Sequence, residues 1–218
     1  MFQEAMRSMP NVPLSFGARV LDVGCGNRPF TWATHLVDVT LDDHSQRFGE
    51  PVRTDGRPLV VASVEALPFP DKYFDFVHCA HVLEHVAAPA VACEELSRVG
   101  RRGYVECPRS WVEFVFSAVG HRWLVDGEGG ELIFREKLPE EYGDPLGIRD
   151  SLLPRLARDR AFARHWNAPA LRAIRNVEYF WAERVRYRIL RAGERRSDGV
   201  VTVLGRETND GSSPAAAA

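Results

Sequence analysis

The sequence predicts an α/β fold built on a doubly wound, mostly parallel sheet. Short apolar runs recur between polar, turn-forming segments, as in Val20–Val23, His35–Val39, Leu59–Ala62, Phe74–Cys79 and Gly103–Pro108. The first run feeds directly into a glycine turn, Gly24-Cys25-Gly26. Strands that alternate with helical or loop crossovers pair in parallel through right-handed connections.

The chain is organised around Arg19–Asn27. Val20, Leu21 and Val23 suit a short buried strand, and Asp22 interrupts them near its carboxyl end. Gly24 and Gly26 let the backbone turn sharply and approach a ligand with no Cβ in the way. Ligands of open α/β sheets sit off the carboxyl ends of the strands, so the stretch reads as strand, turn, ligand.

The second strand also ends in an acid, Asp38. A carboxylate at that tip either holds the two hydroxyls of a nucleotide ribose or serves as a turn residue. So few residues separate Gly26 from this strand that any crossover helix has at most one or two turns. The segment from Asp42 to Arg57 reads as a polar loop or short helix. After the third strand, Pro68 and Pro70 fix an extended loop, with Val64 and Leu67 placed to wall an aromatic ring. Val82–Val99 has helical spacing beyond the fourth strand, and Pro108 stops the fifth.

The second half changes character. Trp111–Val119 reads as an aromatic helix. Arg122–Val125 and Glu131–Phe134 flank a glycine-rich turn and read as a hairpin. Ser151–Trp166 reads as an Arg-rich helix, Val177–Ile189 as a long amphipathic strand and Gly199–Leu204 as a last strand. A single domain is expected over residues 1–208, with an inserted hairpin and helical lid at about 109–175 and a disordered tail at 209–218.

Composition narrows the classes. The 218 residues are 45% hydrophobic and 27% charged, with a formal net charge of −2. That balance belongs to a globular protein and gives no overall attraction to nucleic acid or an acidic lipid surface. No apolar run reaches the roughly 20 residues of a bilayer span, and Met1–Pro10 lacks an apolar signal core, so a cytoplasmic location is expected. Cys25, Cys79, Cys93 and Cys107 lack zinc-type pairing and are expected to be free thiols.

Taken together, five pieces resemble a class I S-adenosylmethionine-dependent methyltransferase of the small methyltransferase-domain type. They are Val20–Gly26, Val37-Asp38, Glu65–Phe69, Phe74–Val77 and His81–Val86. They occur in family order within about two-fifths of the chain, Arg19–Pro108. The resemblance implies a seven-stranded Rossmann-like sheet with the last strands antiparallel, and S-adenosyl-L-methionine as cofactor. It also implies that Gly24, Cys25 and Gly26 face the methionine part, with Asp22 supporting its amino group. Asp38 would hold the ribose, Ser63 and Val64 would border the adenine, and the backbone of His78 would help bind the amino acid end. Two departures stand out. Ser63 replaces the usual Asp and brings a hydrogen bond without a charge. Arg28 replaces the third glycine and either pairs with the cofactor carboxylate or faces solvent.

The methyl acceptor is expected to be a small, partly apolar molecule that reacts at O, N or S. Trp111, Phe114, Phe116, His121 and Trp123 either form an aromatic lid over it or pack on the sheet. His81 and Glu106 are the expected general bases, and His85 is read as a packing or capping residue. His78, His81 and His85 have helical spacing that raises a metal site, but His78 falls on a strand and no acidic partner is placed, so no metal is expected. The C-terminal arginines carry a rival reading, a non-catalytic module that grips a protein or RNA partner. In it, Arg184, Arg186 and Arg188 would share one face of the long strand.

Overall fold

Val20–Val23 forms β1, buried along its whole length at the centre of a six-stranded sheet. The computed structural model describes residues 13–43, 49–116, 118, 120–143, 147–166 and 168–190, with the pairs 196–197, 200–201 and 207–208. β2 (His35–Asp38) and β4 (Phe76–Ala80) pair in parallel on the two sides of β1. β3 (Leu59–Val61) extends the sheet beyond β2, and β5 (Arg102–Pro108) extends it beyond β4. β8 (Asn176–Ala182) closes it, antiparallel to β5. The order β3-β2-β1-β4-β5-β8 makes the chain leave β1 in one direction and return on its other side. Such a switch point opens a crevice at the carboxyl ends of the strands.

The β1–β2 crossover contains turns and no helix. Buried contacts hold it instead. Phe30 N–H donates to Asp22 Oδ2 at 2.7 Å, and Arg57 Nη1 donates to the carbonyls of Phe30 and Ala33 at 2.7 and 3.1 Å. The Phe30 ring packs with Val20, Cys25, Leu36, Phe76 and Tyr104.

Five expectations are corrected. The helix after β4 begins at Pro89, not Val82: α1 is Pro89–Val99. Proline pre-sets a first-turn φ and pushes Ala88 into extended backbone. The preceding residues form turns, with His81 at φ +58° and His85 N–H donating to Val82 O. The long strand over Val177–Ile189 divides into β8 and β9 (Tyr187–Leu190), broken where Glu183 takes φ +66°. The alternation continues across the break, so periodicity could not show it.

The hairpin strands β6 (Trp123–Glu128) and β7 (Glu131–Glu136) are longer than expected and turn through Gly129 and Gly130, both at positive φ. They form a second sheet with β9 and β12 (Glu207–Thr208), in the order β12-β9-β7-β6. Finally, the central sheet has six strands among the described residues rather than seven. Val200–Val201 (β11) pairs with Arg196–Ser197 (β10) outside it, and residues 202–206 lie outside the described residues, as does the tail at 209–218.

The remaining helices are α2 (Ser110–Phe116), α3 (Ile148–Arg158), α4 (Arg160–Trp166) and α5 (Pro169–Arg175). The single long helix expected over Ser151–Trp166 is thus two, divided at Asp159, which caps α4 through Ala161 and Phe162 N–H. All four cysteines are free and buried. No helix among the described residues is long and apolar enough to cross a membrane.

Trp181 on β8 lies against Gly100 and Gly103. A Cβ at Gly103 would fall 2.4 Å from Val77 O and 2.6 Å from Trp181 Cζ2. Gly103→Ala is therefore expected to cost about 3 kcal/mol, the upper range of overpacking. Urea unfolding measures this; an unchanged midpoint would show that the Trp181 ring does not seat on β5.

Candidate active site

The crevice at the switch point is a cavity of about 350 Å³, within the range of small-molecule sites. Gly24 and Gly26, at φ +68° and +53°, form its floor after β1. A Cβ at Gly24 would stand 2.3 Å from Val82 Cγ2, so only glycine allows this approach of the two loops. Asp38 lines the cavity at the tip of β2, and its Oδ2 accepts the Gly26 N–H at 2.8 Å. That bond ties the glycine turn to the second strand. Ala62, Ser63 and Val64 line the cavity after β3, and His81, Val82 and His85 line it after β4. Ser63 Oγ accepts from Glu65 N–H at 3.1 Å, and Glu65 in turn accepts the Ala88 N–H at the start of α1. Asn27 and Arg28 complete the glycine-turn side of the wall.

Three residues expected to touch the cofactor sit beneath the wall. Asp22 is fully buried, and Cys25 is buried in the smaller apolar cluster. His78 faces Asp22, with Nδ1 2.7 Å from Oδ1, and its ring stacks on Phe30 at 4.4 Å. These side chains brace the turn from below, so Asp22 and His78 support the cavity rather than line it.

Both expected bases are held among charged and polar partners. Glu106 is buried, and its carboxylate accepts from Tyr104 OH at 2.6 Å, from Arg172 and from Asn176. Burial alone would raise its pKa, but the His81 and Arg172 charges outweigh it and bring it to about 2. A carboxylate so occupied takes no proton from an acceptor. His81 stands between two acids, 3.4 Å from Glu84 Oε1 and 3.3 Å from Glu106 Oε1. Burial disfavours its charge, yet the two carboxylates raise it to about 9. Those carboxylates favour the protonated form of the ring.

The expected aromatic lid is corrected: none of its five residues lies among the described residues that line the cavity. Trp123 is buried and donates to Val86 O at 2.9 Å, Trp111 donates to Ile174 O at 3.1 Å, and Phe116 packs edge-on to Trp166. His121 does approach the site, 4.5 Å from the His85 ring.

The fold is a Rossmann-like α/β domain, and its cavity joins a glycine turn after β1 to an acid at the tip of β2. Residues 21–105 match the family profile described as "Methyltransferase domain". That segment, less than half of the chain, is similar to the methyltransferase-domain family, and the resemblance implies S-adenosylmethionine as its cofactor.

Solved structures similar to the chain include an S-adenosylmethionine-dependent methyltransferase from Thermotoga maritima, described as a possible histamine N-methyltransferase. It is 23% identical, with 45% of this chain and 47% of that chain covered and a TM-score of 0.37. A complex between the Haloferax volcanii Trm112 methyltransferase activator and a methyltransferase gives 20% identity, 45% and 49% coverage and a TM-score of 0.36. A protein from Pyrococcus horikoshii gives 18%, 64% and 72%, and 0.36. The match spans less than half of the first two chains. No curated protein matches the sequence.

Two predictions follow from this geometry. Asp38→Ala, which removes both a cavity carboxylate and the partner of Gly26 N–H, is expected to weaken S-adenosylhomocysteine binding at least about tenfold by calorimetry; unchanged affinity would remove Asp38 from the site. Glu106→Gln leaves the Arg172 charge buried without its partner and is expected to cost about 3 kcal/mol at pH 7. Its carboxyl titrates near 4.5 when unfolded and about 2 when folded, so the unfolded chain binds the proton first. The stabilisation is present above pH 4.5 and is lost as pH falls toward 2. Chemical unfolding across that window should show a smaller pH slope for the variant than for the parent.

Proposed function

We propose that the chain is a methyltransferase that moves the methyl group of S-adenosylmethionine to an oxygen, nitrogen or sulfur atom of a small, partly apolar molecule. The observation that carries this reading is the cavity itself, whose wall joins a positive-φ glycine turn, the Asp38 carboxylate and the Ala62–Val64 segment. These groups suit the parts of an adenosyl sulfonium. Asp38 would accept from the ribose hydroxyls, Ser63 and Val64 would border the adenine, and Arg28 would face the methionine carboxylate. Because β1 stands between β2 and β4, the sugar end belongs at β2 and the reacting end toward His81 and His85.

When bound, the cofactor supplies a methyl carbon already activated by a positively charged sulfur. The protein then has to hold an acceptor in line and keep water out. The protonated His81, fixed by Glu84 and Glu106, orients an acceptor rather than deprotonating it. The rival reading, a non-catalytic module that grips RNA or protein, has three fewer arginines to draw on. Arginines of the C-terminal part pair within the fold: Arg172 with Glu106 and Glu178, Arg186 with Glu131, Arg188 with Glu128.

Calorimetry with S-adenosylmethionine and S-adenosylhomocysteine tests the proposal. Saturable binding of both is expected. No binding of either at millimolar ligand would overturn it and leave the non-catalytic module.

A further inference from the structure

Beside the cavity, on the side away from Asp38, Glu84, His85 and His121 bring one potential ligand atom each to within 4.8 Å of one another. Glu84 is 1% exposed, and neither of its carboxylate oxygens forms a regular hydrogen bond; the Cys107 thiol and the His81 ring are its side-chain neighbours. The nearest cation, His81 Nδ1, is 3.4 Å from Oε1 without forming a hydrogen bond. A buried carboxylate left in that state is costly, and native folds satisfy such groups with donors or with metal.

The two histidines are prepared in a particular way. His85 Nδ1 is 3.0 Å from the Gly120 carbonyl, which can only accept, so Nδ1 carries the proton. His121 Nδ1 is 2.6 Å from Glu113 Oε1, and Glu113 Oε2 is in turn held by buried Lys137 at 3.1 Å. In both rings Nδ1 is therefore engaged, and Nε2 is left as the lone-pair atom. Imidazoles that bind metal are oriented in this manner, by a carbonyl or a carboxylate on the far nitrogen. Two imidazole nitrogens and one carboxylate suit a first-row divalent ion of the zinc class and leave coordination positions open.

We propose that Glu84, His85 and His121 bind a divalent metal ion of the zinc class at the edge of the cavity, and that its open position takes an oxygen of the methyl acceptor. His85 belongs both to this trio and to the cavity wall, which connects the two sites. An acceptor hydroxyl binds the ion through oxygen, its O–H bond breaks, the proton passes to water, and the ion stabilises the remaining alkoxide or phenolate. That oxygen is then the nucleophile. The substrate class is thus narrowed to alcohols or phenols, best those with a second oxygen able to chelate. The metal site stands on its own residues; its role in acceptor activation rests on the methyl-transfer reading.

The full chain, stripped with chelator and titrated with zinc, is expected to take up about one ion per chain. X-ray absorption should show nitrogen and oxygen neighbours with two imidazoles and no sulfur. Glu84→Gln and His121→Ala are each expected to weaken zinc binding at least tenfold while S-adenosylhomocysteine still binds, which confirms that they fold. Sulfur neighbours, no uptake by the parent chain, or parental affinity in both variants would overturn the site. Zinc binding without cofactor binding would defeat the methyl-transfer reading and keep the site; cofactor binding without zinc would do the reverse.

Discussion

The arrangement depends first on Asp22. It is a charged side chain at the centre of a sheet, with no exposure to solvent. One oxygen holds the crossover at Phe30 N–H, and the other faces His78 on the neighbouring strand. A crossover this short has no helix to stiffen it, so the carboxylate takes over that task. Phe30 is drawn down onto His78, and the glycine turn above is left open. An isolated buried carboxylate would be expensive, but one that accepts hydrogen bonds from two separate elements is stable and fixes their geometry. The cavity exists because this turn cannot collapse into it.

The second tie, Gly26 N–H to Asp38 Oδ2, links the tips of β1 and β2 directly. The Asp38 carboxylate holds the turn and, in the proposed function, would also meet a ribose; a carboxylate has lone pairs for both.

Much of this was legible in the sequence. The five strands from Val20 to Pro108 were visible as short apolar runs, and the glycine turn and Asp38 as motif and position. Those features are local: they depend on residue type over a few positions. The misreadings share one cause, in that tertiary context decided them. The start of α1 turned on Pro89 and on Glu65, which reaches the Ala88 N–H from another loop. The break at Glu183 required a second sheet to receive β9, and alternation carried no trace of it. His81 and Glu106 looked like bases because their residue types permit it. Their actual charge states depend on Arg172 and Glu84, brought in by folding. The lid aromatics were legible as apolar, but not which surface they would cover. The pairing of His121 with His85 was hidden by the 35 positions between them.

The buried carboxylates distinguish scaffold from site. Asp22 is satisfied by Phe30 and His78, Glu106 by Tyr104, Arg172 and Asn176, and Glu113 by His121 and Lys137. Each has donors enough to be a fixed structural charge. Glu84 is as deeply buried and has no such donors, although its main-chain carbonyl accepts both Arg122 and Trp123 N–H at the entry to the hairpin. The backbone of Glu84 is therefore held firmly while its side chain is left unsatisfied. In the proposed site, the shell of this pinned acid, which otherwise meets the His81 ring at 3.4 Å, would be completed by something that comes from outside. Two oriented imidazoles beside it say what chemistry that something must have. Glu113 and Lys137, which look like an ordinary buried ion pair, then acquire a purpose in that proposal: they hold Nδ1 of the His121 ring.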